Sequence, residues 1–521
     1  MATDLDVLIV GGGVNGLTAA AYLARSGRSV VVLEKDDECG GLVRPHRSWC
    51  DGDAPVEPFA FQRDGLPARI LSDLGIEMPV TETSDSALII RPDSAGRDLV
   101  LVGDPRADAE TLRQHGLTDD VPGYVRFLEA SLALGEMVSR TITEPLMRRS
   151  EMRDMVAPDI WDAFIESPLG NIIRLEVPSD ILRGYLLSLS FRSEATWALD
   201  PSLGLNRSFL QHVVRQTLDS RLPQGGPAET VRALKTAAVS AGAKILTGHR
   251  VTQIQPMGDA PVRVTYRTEG KTQELRPQRV LAAIPPWTLE DLLGDNHPAP
   301  RPEGAIASAS ILVHRLPELR TEALSTHTAF RGGVVINASW ESFDDARRQT
   351  EGGLVPVSLP CVVYSPTLSD PLPLGQSLRA SGAQLLQVTV LGLPYALGAQ
   401  LSPEAFRDQI NAGILKSVDS VCREPVTDLI ARNSVGFPCM TTWTPLDLEE
   451  QFGLPGGHPY QASISWPFVE DDDALSTPAS RWGVETRHAR VFTAGSGSRR
   501  GSMQAGLGGF AAVMACYEAD S

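Results

Sequence analysis

The chain has 521 residues, 42% of them hydrophobic and 21% charged, and a formal net charge of −17. This length exceeds one compact core, so we expect two domains. The acidic balance disfavours a nucleic-acid partner, whose phosphates would need Lys and Arg. Six scattered cysteines without CxxC spacing predict neither a zinc site nor a redox dithiol, and they fit a reducing cytoplasm. No apolar run approaches the roughly 20 residues of a membrane span, and we expect no leader peptide.

The first 44 residues predict a strand–turn–helix–strand unit. A short apolar strand at 6–10 leads into the glycine-rich turn 11–16, a helix over 17–26 and a second apolar strand at 29–33, which ends in Glu34. A G-x-G-x-x-G pattern in this setting is typical of a dinucleotide-binding unit. The alternative, a glycine-rich turn without a ligand, is disfavoured because every part of that setting is present.

Each residue type of this motif suits a dinucleotide. Gly11 permits the tight turn, Gly13 lets the backbone approach a pyrophosphate, and Gly16 lets the helix pack closely on the sheet. The helix N-terminus offers N–H groups to the phosphates. The carboxylate of Glu34 can accept both hydroxyls of an adenosine ribose.

The residues after the second strand favour FAD over other dinucleotides. Glu34 would repel the 2′-phosphate of NADP, whereas NAD and FAD both fit the first motif. The pattern Gly40-Gly41-x-x-Arg44 with Ser48 extends the motif as in a large group of flavoproteins. The alternatives are an ordinary loop for the two glycines and a surface salt bridge for Arg44. Because the two glycines and Arg44 occur together at the right distance from Glu34, we predict FAD as the cofactor.

Apolar periodicity predicts the remaining elements in chain order. They are a helix over 67–74, strands within 84–103, helices through most of 121–220, a helix over 228–241, strands at 250–254, 262–268 and 279–283, strands within 306–400, a helix over 403–420, a strand at 491–494 and a helix over 508–518. The segment 506–511 matches GxGxxA but has no strand before it. We therefore expect no separate NAD(P)H site.

The αβ pattern near both ends of the sequence predicts that one domain interrupts another. The FAD-binding domain would comprise 1–75, 221–290 and 436–521. The substrate-binding domain would comprise 76–220 and 291–435.

These motifs together resemble the phytoene-desaturase-like branch of FAD-dependent oxidoreductases, which is related to amine oxidases and carotenoid desaturases. The resemblance is strongest over 7–44, 222–254, 443–468 and 491–509. It implies an α/β fold, with a Rossmann-type, glutathione-reductase-like FAD-binding domain and a discontinuous α+β substrate domain.

The resemblance also assigns cofactor contacts. The backbone of Val251 would hydrogen-bond the adenine, and Gly495 and Ser496 would touch the pyrophosphate and ribityl chain. A helix opening near Met503 would offer N–H groups to the pyrimidine end of the flavin. The full set of predicted FAD contacts is Gly11, Gly13, Val14, Asn15, Gly16, Glu34, Lys35, Gly41, Leu42, Arg44, Val251, Ala283, Gly495, Ser496 and Met503.

Two segments depart from the family pattern. Arg499 and Arg500 stand where relatives have a run of glycines, which puts two cations near the cofactor. The segment after Arg44 is also unlike that of relatives. On the substrate side we expect Phe59 or Phe61 near the isoalloxazine, with ordinary core packing as the alternative.

The sequence shows no catalytic dyad, triad or metal-ligand cluster, and flavin hydride chemistry needs none. His46 and His458 are weak candidates for a catalytic base, and a structural hydrogen bond is the alternative for each. We predict an FAD-dependent desaturase, dehydrogenase or oxidase that takes a hydride from a C–C or C–N bond of a fairly apolar small molecule. Its electron acceptor would be oxygen, a quinone or another protein.

Two other functions stay open at this point. One is a redox-neutral, flavin-dependent isomerase of a polyene, and the other is a non-catalytic escort or carrier protein on the same fold. Peripheral membrane contact is not favoured, because no basic amphipathic helix is visible.

Overall fold

The strands and helices follow from a computed structural model that describes residues 5–44, 49, 53–54, 56, 65–82, 86–90, 98–191, 193–218, 221–297, 300–501 and 505–521. Its strands are β1 (Leu5–Val10), β2 (Val30–Leu33), β3 (Ala87–Ile89), β4 (Leu99–Leu101), β5 (Met147–Arg148), β6 (Lys244–Leu246), β7 (Arg250–Met257), β8 (Ala260–Thr268), β9 (Lys271–Leu275), β10 (Pro277–Ala282), β11 (Ile306–Val313), β12 (Val334–Ile336), β13 (Cys361–Tyr364), β14 (Gln384–Leu391), β15 (Met440–Trp443), β16 (Phe468–Val469) and β17 (Val491–Thr493).

The helices are α1 (Val14–Arg25), α2 (Ala68–Leu74), α3 (Pro105–Gln114), α4 (Val121–Ser139), α5 (Arg149–Asp154), α6 (Pro158–Trp161), α7 (Leu169–Glu176), α8 (Asp180–Ser188), α9 (Gly204–Thr217), α10 (Pro227–Ser240), α11 (Pro286–Leu293), α12 (Thr326–Gly332), α13 (Trp340–Glu351), α14 (Gln376–Ser381), α15 (Tyr395–Gly398), α16 (Pro403–Val421), α17 (Pro445–Phe452), α18 (Pro478–Arg481) and α19 (Leu507–Ala519). Within the described ranges, no helix is both long and apolar enough to cross a membrane.

A five-stranded parallel sheet, in the order β17-β10-β1-β2-β6, carries the predicted dinucleotide motif. The side chains of β1 alternate between its two faces. Val7 and Ile9 pack against α1, α10 and α19. Leu8 and Val10 pack on the antiparallel sheet β7-β8-β9. A parallel sheet buried on both faces confirms the predicted α/β, Rossmann-type fold.

A second, seven-stranded sheet has the order β15-β11-β14-β13-β12-β3-β4. It is mixed, since β12 pairs with β3 in parallel and the other neighbours are antiparallel. All eight residues of β11 are buried. One of its faces packs against α16, and the other packs against the cluster around Trp443 and Tyr460.

Helices α3 to α9 form a separate layer around an aromatic core. Tyr124 and Phe127 of α4 and Phe209 of α9 are all but fully buried there. The rings of Phe164 and Phe209 stack with their centroids 5.8 Å apart. This layer forms one wall of the second cavity described below.

Most predicted elements are confirmed, including the αβ unit at 5–33, the helices in 121–217 and the helix at 507–519. The sequence predicts a strand-rich segment at 306–400, yet this segment also contains α12, α13, α14 and α15. Of the twelve residues of α13, only Phe343 and Ala346 are buried. Its other side chains are mostly polar, so the helix offers few apolar positions from which periodicity could predict it.

The division into domains stays a prediction. One strand complicates it, since β15 lies within the range 436–521 assigned to the FAD-binding domain. In the structure β15 pairs with β11 in the seven-stranded sheet.

Candidate functional site

The turn between β1 and α1 depends on two glycines that have no room for a side chain. Gly11 has φ +103°, and a Cβ added there would lie 2.6 Å from the carbonyl oxygen of Ala283. A Cβ added at Gly16 would lie 2.0 Å from the carbonyl oxygen of Gly11. These two glycines thus allow the tight turn and the close packing of α1 on the sheet.

Gly13 differs from them because it faces open space. Its backbone is extended, with φ −76° and ψ −179°, and an added Cβ would meet nothing nearer than the Cα of Gly41, at 3.9 Å. Gly13 pairs with Gly40 in an isolated bridge, and the N–H of Gly40 donates to the carbonyl of Gly12 over 3.0 Å. The backbones of these two glycines therefore border a space that a Cβ would enter. Because no side chain fills this space, a pyrophosphate can approach the backbone closely.

Glu34 follows β2 and is only 6% exposed. Its carboxylate accepts hydrogen bonds from the N–H of Gly12 over 2.7 Å and from the N–H of Asp36 over 2.9 Å. A carboxylate has about four acceptor positions, so two remain for ligand hydroxyls. Beside it, burial and the charge of Glu34 raise the pKa of the Cys39 thiol to about 11.

Asn15 joins the beginnings of two helices. Its amide oxygen accepts from the N–H groups of Gly508 and Gly509, at 3.1 and 3.4 Å, and its amide nitrogen donates to the hydroxyl of Ser496 over 3.3 Å. The N-termini of α1 and α19 thus converge beside Ser496. Both helices direct their positive dipole ends toward the same region.

One cavity, which we call the dinucleotide cavity, brings most of the predicted cofactor contacts together. Its void is about 1410 Å³, counting the part open to solvent. The predicted residues that line it are Gly11, Gly13, Val14, Asn15, Glu34, Lys35, Gly41, Leu42, Val251, Ala283 and Ser496.

Three predicted contacts do not line this cavity. Gly16 lies at the contact of helix and strand, and Gly495 packs against the backbone of Ile284. The guanidinium of Arg44 lies 3.5 Å from the carboxylate of Asp36, which is the salt bridge considered as its alternative.

Four other predicted site residues, His46, Phe59, Phe61 and Met503, lie outside the described residues.

The cavity also contains residues that the sequence analysis missed. His249 and Arg250 line it beside Val251, and their position next to a predicted contact could have signalled them. Gln451 and Gln461 line it as well. Gln461 has φ +67°, and its buried side-chain oxygen has no hydrogen-bond partner among the described residues. No motif marks these two glutamines.

His458 lies in the core and lines neither the dinucleotide cavity nor the second cavity. It is fully buried, and its Nδ1 accepts a hydrogen bond from the N–H of Tyr460 over 3.2 Å. Its Nε2 lies 3.5 Å from the carboxylate of Glu194, which also accepts from the N–H of Ile464 over 2.8 Å. These contacts fit the structural alternative better than a catalytic base.

The second cavity, which we call the arginine cavity, lies between α4, α9 and the loop before α19. Its void is about 670 Å³, counting the part open to solvent. Its lining includes Arg207, Arg215, Arg499 and Arg500. The described residues contain no group of three or more His, Cys, Asp or Glu side chains that could hold a metal ion.

The two cavities border the same two chain segments. Gln461 and Ser496 line the dinucleotide cavity, whereas Tyr460 and the run Arg499–Gly501 line the arginine cavity. A Cβ at Gly501 would lie 2.0 Å from the carbonyl oxygen of Ser496, so the loop folds back tightly between the cavities.

A comparison with protein families gives this site its context. The model of the family described as flavin containing amine oxidoreductase matches residues 15–313, which is more than half of the chain. The chain belongs to this family. Its cofactor is FAD, and it is an FAD-dependent oxidoreductase of the amine oxidase and carotenoid desaturase superfamily.

Two curated relatives illustrate the range of the family. "Uncharacterized protein Rv0897c" of Mycobacterium tuberculosis is 35% identical over 98% of this chain and 97% of its own length. A subunit of the limonene dehydrogenase of Castellaniella defragrans is 27% identical over 54% of this chain and 52% of its own length.

Solved structures share the fold. A putrescine oxidase variant superposes with a TM-score of 0.56 at 16% identity, covering 99% of this chain and 98% of its own. Cyclohexylamine oxidase from Brevibacterium oxydans superposes with a TM-score of 0.54 at 15% identity, covering 99% of this chain and 100% of its own.

Proposed function

We propose that the protein is an FAD-dependent dehydrogenase or desaturase of an apolar small molecule that binds in the arginine cavity. The observation that carries this proposal is the position of that cavity, which adjoins the dinucleotide cavity at the Tyr460–Gln461 and Ser496–Gly501 segments. Apolar side chains of two helices form its wall, namely Val138, Leu210, Val214 and Leu218. An apolar wall with a few polar groups is typical of a small-molecule site.

The residues of the dinucleotide cavity fit FAD. In our proposal the N-terminus of α1 and the backbone of Gly13 and Gly41 hold the pyrophosphate, and Glu34 holds the adenosine ribose. Val251 lies at the adenine, and Ser496 lies at the ribityl chain. This assignment is supported by the open space at Gly13, because a side chain there would occupy the cavity rather than contact protein.

Bound FAD supplies the hydride acceptor N5, so that loss of a hydride and a proton from adjacent substrate atoms leaves a double bond. The protein's own residues orient the substrate and exclude water from the reacting carbon. In the described part of the lining of the arginine cavity there is no carboxylate and no imidazole. The proton therefore passes to bulk water where the cavity opens to solvent, away from the reacting carbon.

A C–C bond is the better candidate than a C–N bond. A protonated amine would be repelled by the four arginines of the cavity lining. The similarity to a limonene dehydrogenase, whose name gives an apolar hydrocarbon as substrate, supports the same choice. The cytoplasmic location and the acceptor, which would be oxygen, a quinone or another protein, belong to this proposal.

Anaerobic mixing tests the proposal. The FAD-loaded protein is mixed with a panel of apolar alkenes and a panel of amines, and the flavin absorbance near ~450 nm is followed. We expect bleaching with a member of the alkene panel and a product two hydrogens lighter by mass spectrometry. Bleaching by amines alone would contradict the choice of a C–C bond. An isomerised product without net bleaching would indicate the redox-neutral alternative, and no conversion at all would favour the escort alternative.

A further inference from the structure

The arginine cavity concentrates positive charge in a strongly acidic protein. Arg207 and Arg215 come from α9, and Arg499 and Arg500 come from the loop before α19. Among the residues that the structure describes, no carboxylate lines this cavity. Because the whole chain carries a net charge of −17, its overall composition does not account for this cluster of arginines.

Within the described part of the chain, three of the four arginines have no ion-pair partner. No described carboxylate forms an ion pair with Arg207, Arg499 or Arg500, and their hydrogen bonds go to backbone carbonyls instead. Nη1 of Arg207 donates to Ser202 over 2.8 Å, and Nη1 of Arg499 donates to Phe468 over 2.6 Å. Their charges are therefore not neutralised by a direct pair.

Two carboxylates act on the cluster from outside its lining. Glu194 attracts Arg207, but it is already held by His458 and by the N–H of Ile464. Glu144 attracts Arg500. Among the described groups, Arg207, Arg499 and Arg500 carry three positive charges against these two negative ones, so this part of the lining is cationic.

Burial makes this charge costly. Arg500 is only 4% exposed, and its burial lowers the pKa of the guanidinium to about 10. Burial lowers the pKa of Arg207 as well, against the attraction of Glu194. The Nε groups of both arginines are buried and have no hydrogen-bond partner in the described structure. Unsatisfied buried donors are destabilising, so an anionic ligand in the cavity would be stabilised by them.

Helix α9 combines the charged and apolar parts of the cavity wall. Arg207, Gln211 and Arg215 are spaced four residues apart and therefore lie along one face. Leu210 and Val214 line the cavity beside them, each three residues after one of the first two. Such a surface suits a ligand with an apolar body and an anionic head.

Resting on the proposed function, we infer that the substrate is an apolar molecule bearing a carboxylate, and that Arg207 and Arg499 bind this carboxylate in the arginine cavity. Arg500 keeps the cavity in shape, since it donates to the carbonyls of Ile142, Glu144 and Pro145. The carboxylate would anchor one end of the substrate, and its apolar part would lie along Leu210 and Val214 of α9.

Three eight-carbon probes test the inference on the FAD-loaded protein. Octanoate, octanol and octylamine are titrated, and binding is measured by calorimetry and by the change in the flavin absorption spectrum. We expect octanoate to bind at least about tenfold more tightly than octanol, because charge-assisted hydrogen bonds are stronger than neutral ones. Octylamine should bind more weakly than both, and the affinity for octanoate should fall with added salt.

Variants locate the effect. Arg207→Gln should lower the affinity for octanoate about tenfold and leave the affinity for octanol within about twofold. Arg207→Lys keeps the charge and should retain part of the affinity. Arg113→Gln removes an exposed arginine of α3 and serves as the matched control, with unchanged affinity for octanoate. An unchanged affinity for octanoate in Arg207→Gln would overturn the assignment of Arg207.

The comparison of octanoate with octanol on the unaltered protein tests the inference even if a variant fails to fold. Equal binding of octanoate and octanol would overturn the inference. If a neutral alkene then still bleaches the flavin, the proposed function stands and only the carboxylate is wrong. If octanoate is preferred but neither neutral apolar compounds nor their carboxylic acids bleach the flavin, the carboxylate site stands and the proposed reaction is wrong.

Discussion

Single residues of one motif have separate physical roles. Gly11 and Gly16 lie where backbone leaves no room for a Cβ, whereas Gly13 faces the dinucleotide cavity. The sequence motif assigns these roles in general terms, and the distances show which glycine is needed for folding and which leaves room for a ligand.

The pair Gly13→Ala and Gly16→Ala separates the two roles. Gly13→Ala should leave the Tm of the FAD-free protein within about 2 °C and weaken FAD binding at least about tenfold, because the new Cβ enters the cavity. Gly16→Ala should lower the free energy of unfolding by about 1–3 kcal/mol through overpacking. Thermal unfolding and the ratio of bound flavin to protein provide the measurements. Equal flavin content in Gly13→Ala and the unaltered protein would contradict the placement of FAD.

Glu194 gives a pH-dependent prediction. Its burial raises the pKa of the carboxyl, but the bond from His458 and the N–H of Ile464 outweigh burial and hold the pKa below its usual value. A lowered pKa stabilises the fold above the pKa of the unfolded state, and this contribution is lost as the pH falls through the folded-state pKa.

Glu194→Gln should therefore lower the free energy of unfolding by about 1–3 kcal/mol at pH 7 and by clearly less near pH 4. Denaturant unfolding at the two pH values measures the difference. Glu129→Gln, at an exposed position of α4, is the control and should show no such pH dependence. The same loss at both pH values would refute a role for the charge.

At the level of elements, the site is built where helices begin. The N-termini of α1 and α19 meet because the side chain of Asn15 accepts from the first turn of α19 and donates to Ser496. A Cβ at Gly509 would lie 2.0 Å from the carbonyl oxygen of Asn15, so the helices are in backbone contact there. This contact holds the two positive helix ends at a fixed separation.

Two changes of Asn15 should have different effects. Asn15→Ala leaves the N–H groups of Gly508 and Gly509 without their acceptor and should cost about 1–3 kcal/mol of unfolding free energy. Asn15→Asp keeps the acceptor but adds a negative charge beside the proposed pyrophosphate site, so it should fold and bind FAD more weakly. Unfolding curves of the FAD-free proteins and FAD titrations measure the two effects. An FAD affinity unchanged in Asn15→Asp would show that the pyrophosphate lies elsewhere.

At the scale of the whole molecule, the cofactor cavity is assembled from distant segments. Residues within 10–15, 33–42, 249–251, 283–292 and 451–454 line it, together with Gln461 and Ser496. A ligand that contacts all these segments binds the folded state and stabilises it by mass action.

Removal of FAD should therefore lower the Tm of the protein. At an FAD concentration of 100 times the Kd, binding should contribute about 2.7 kcal/mol of unfolding free energy. Calorimetric scans with and without added FAD measure this, and Gly13→Ala should show a smaller shift. Identical scans would mean that FAD does not bind the folded form preferentially.

Much of the fold could be predicted from sequence because its signals are local. The turn at Gly11–Gly16, the acidic residue after β2 and the apolar strands of the parallel sheet each occupy a few consecutive residues. The pairing of β15 with β11 and the arrival of Gln461 at the cavity depend on contacts between distant segments. Helix α13 is hard to predict because its sequence is mostly polar and it buries only Phe343 and Ala346. Likewise, the sequence shows that Arg499 and Arg500 replace the glycines of relatives, but the arginine cavity that they line is formed only when α4 and α9 pack.

The hydrogen bonds from α19 to Asn15 also limit how early in synthesis the cofactor cavity can form. Asn15 and Gly508 are 493 residues apart in the sequence. At a translation rate of about 5–20 residues per second, their synthesis is separated by roughly 25–100 seconds. During that time β1, α1 and β2 have emerged from the ribosome, but the helix that completes the sheet packing does not yet exist. Flavin uptake should therefore follow the synthesis of α19, and nascent chains halted before residue 507 should remain colourless.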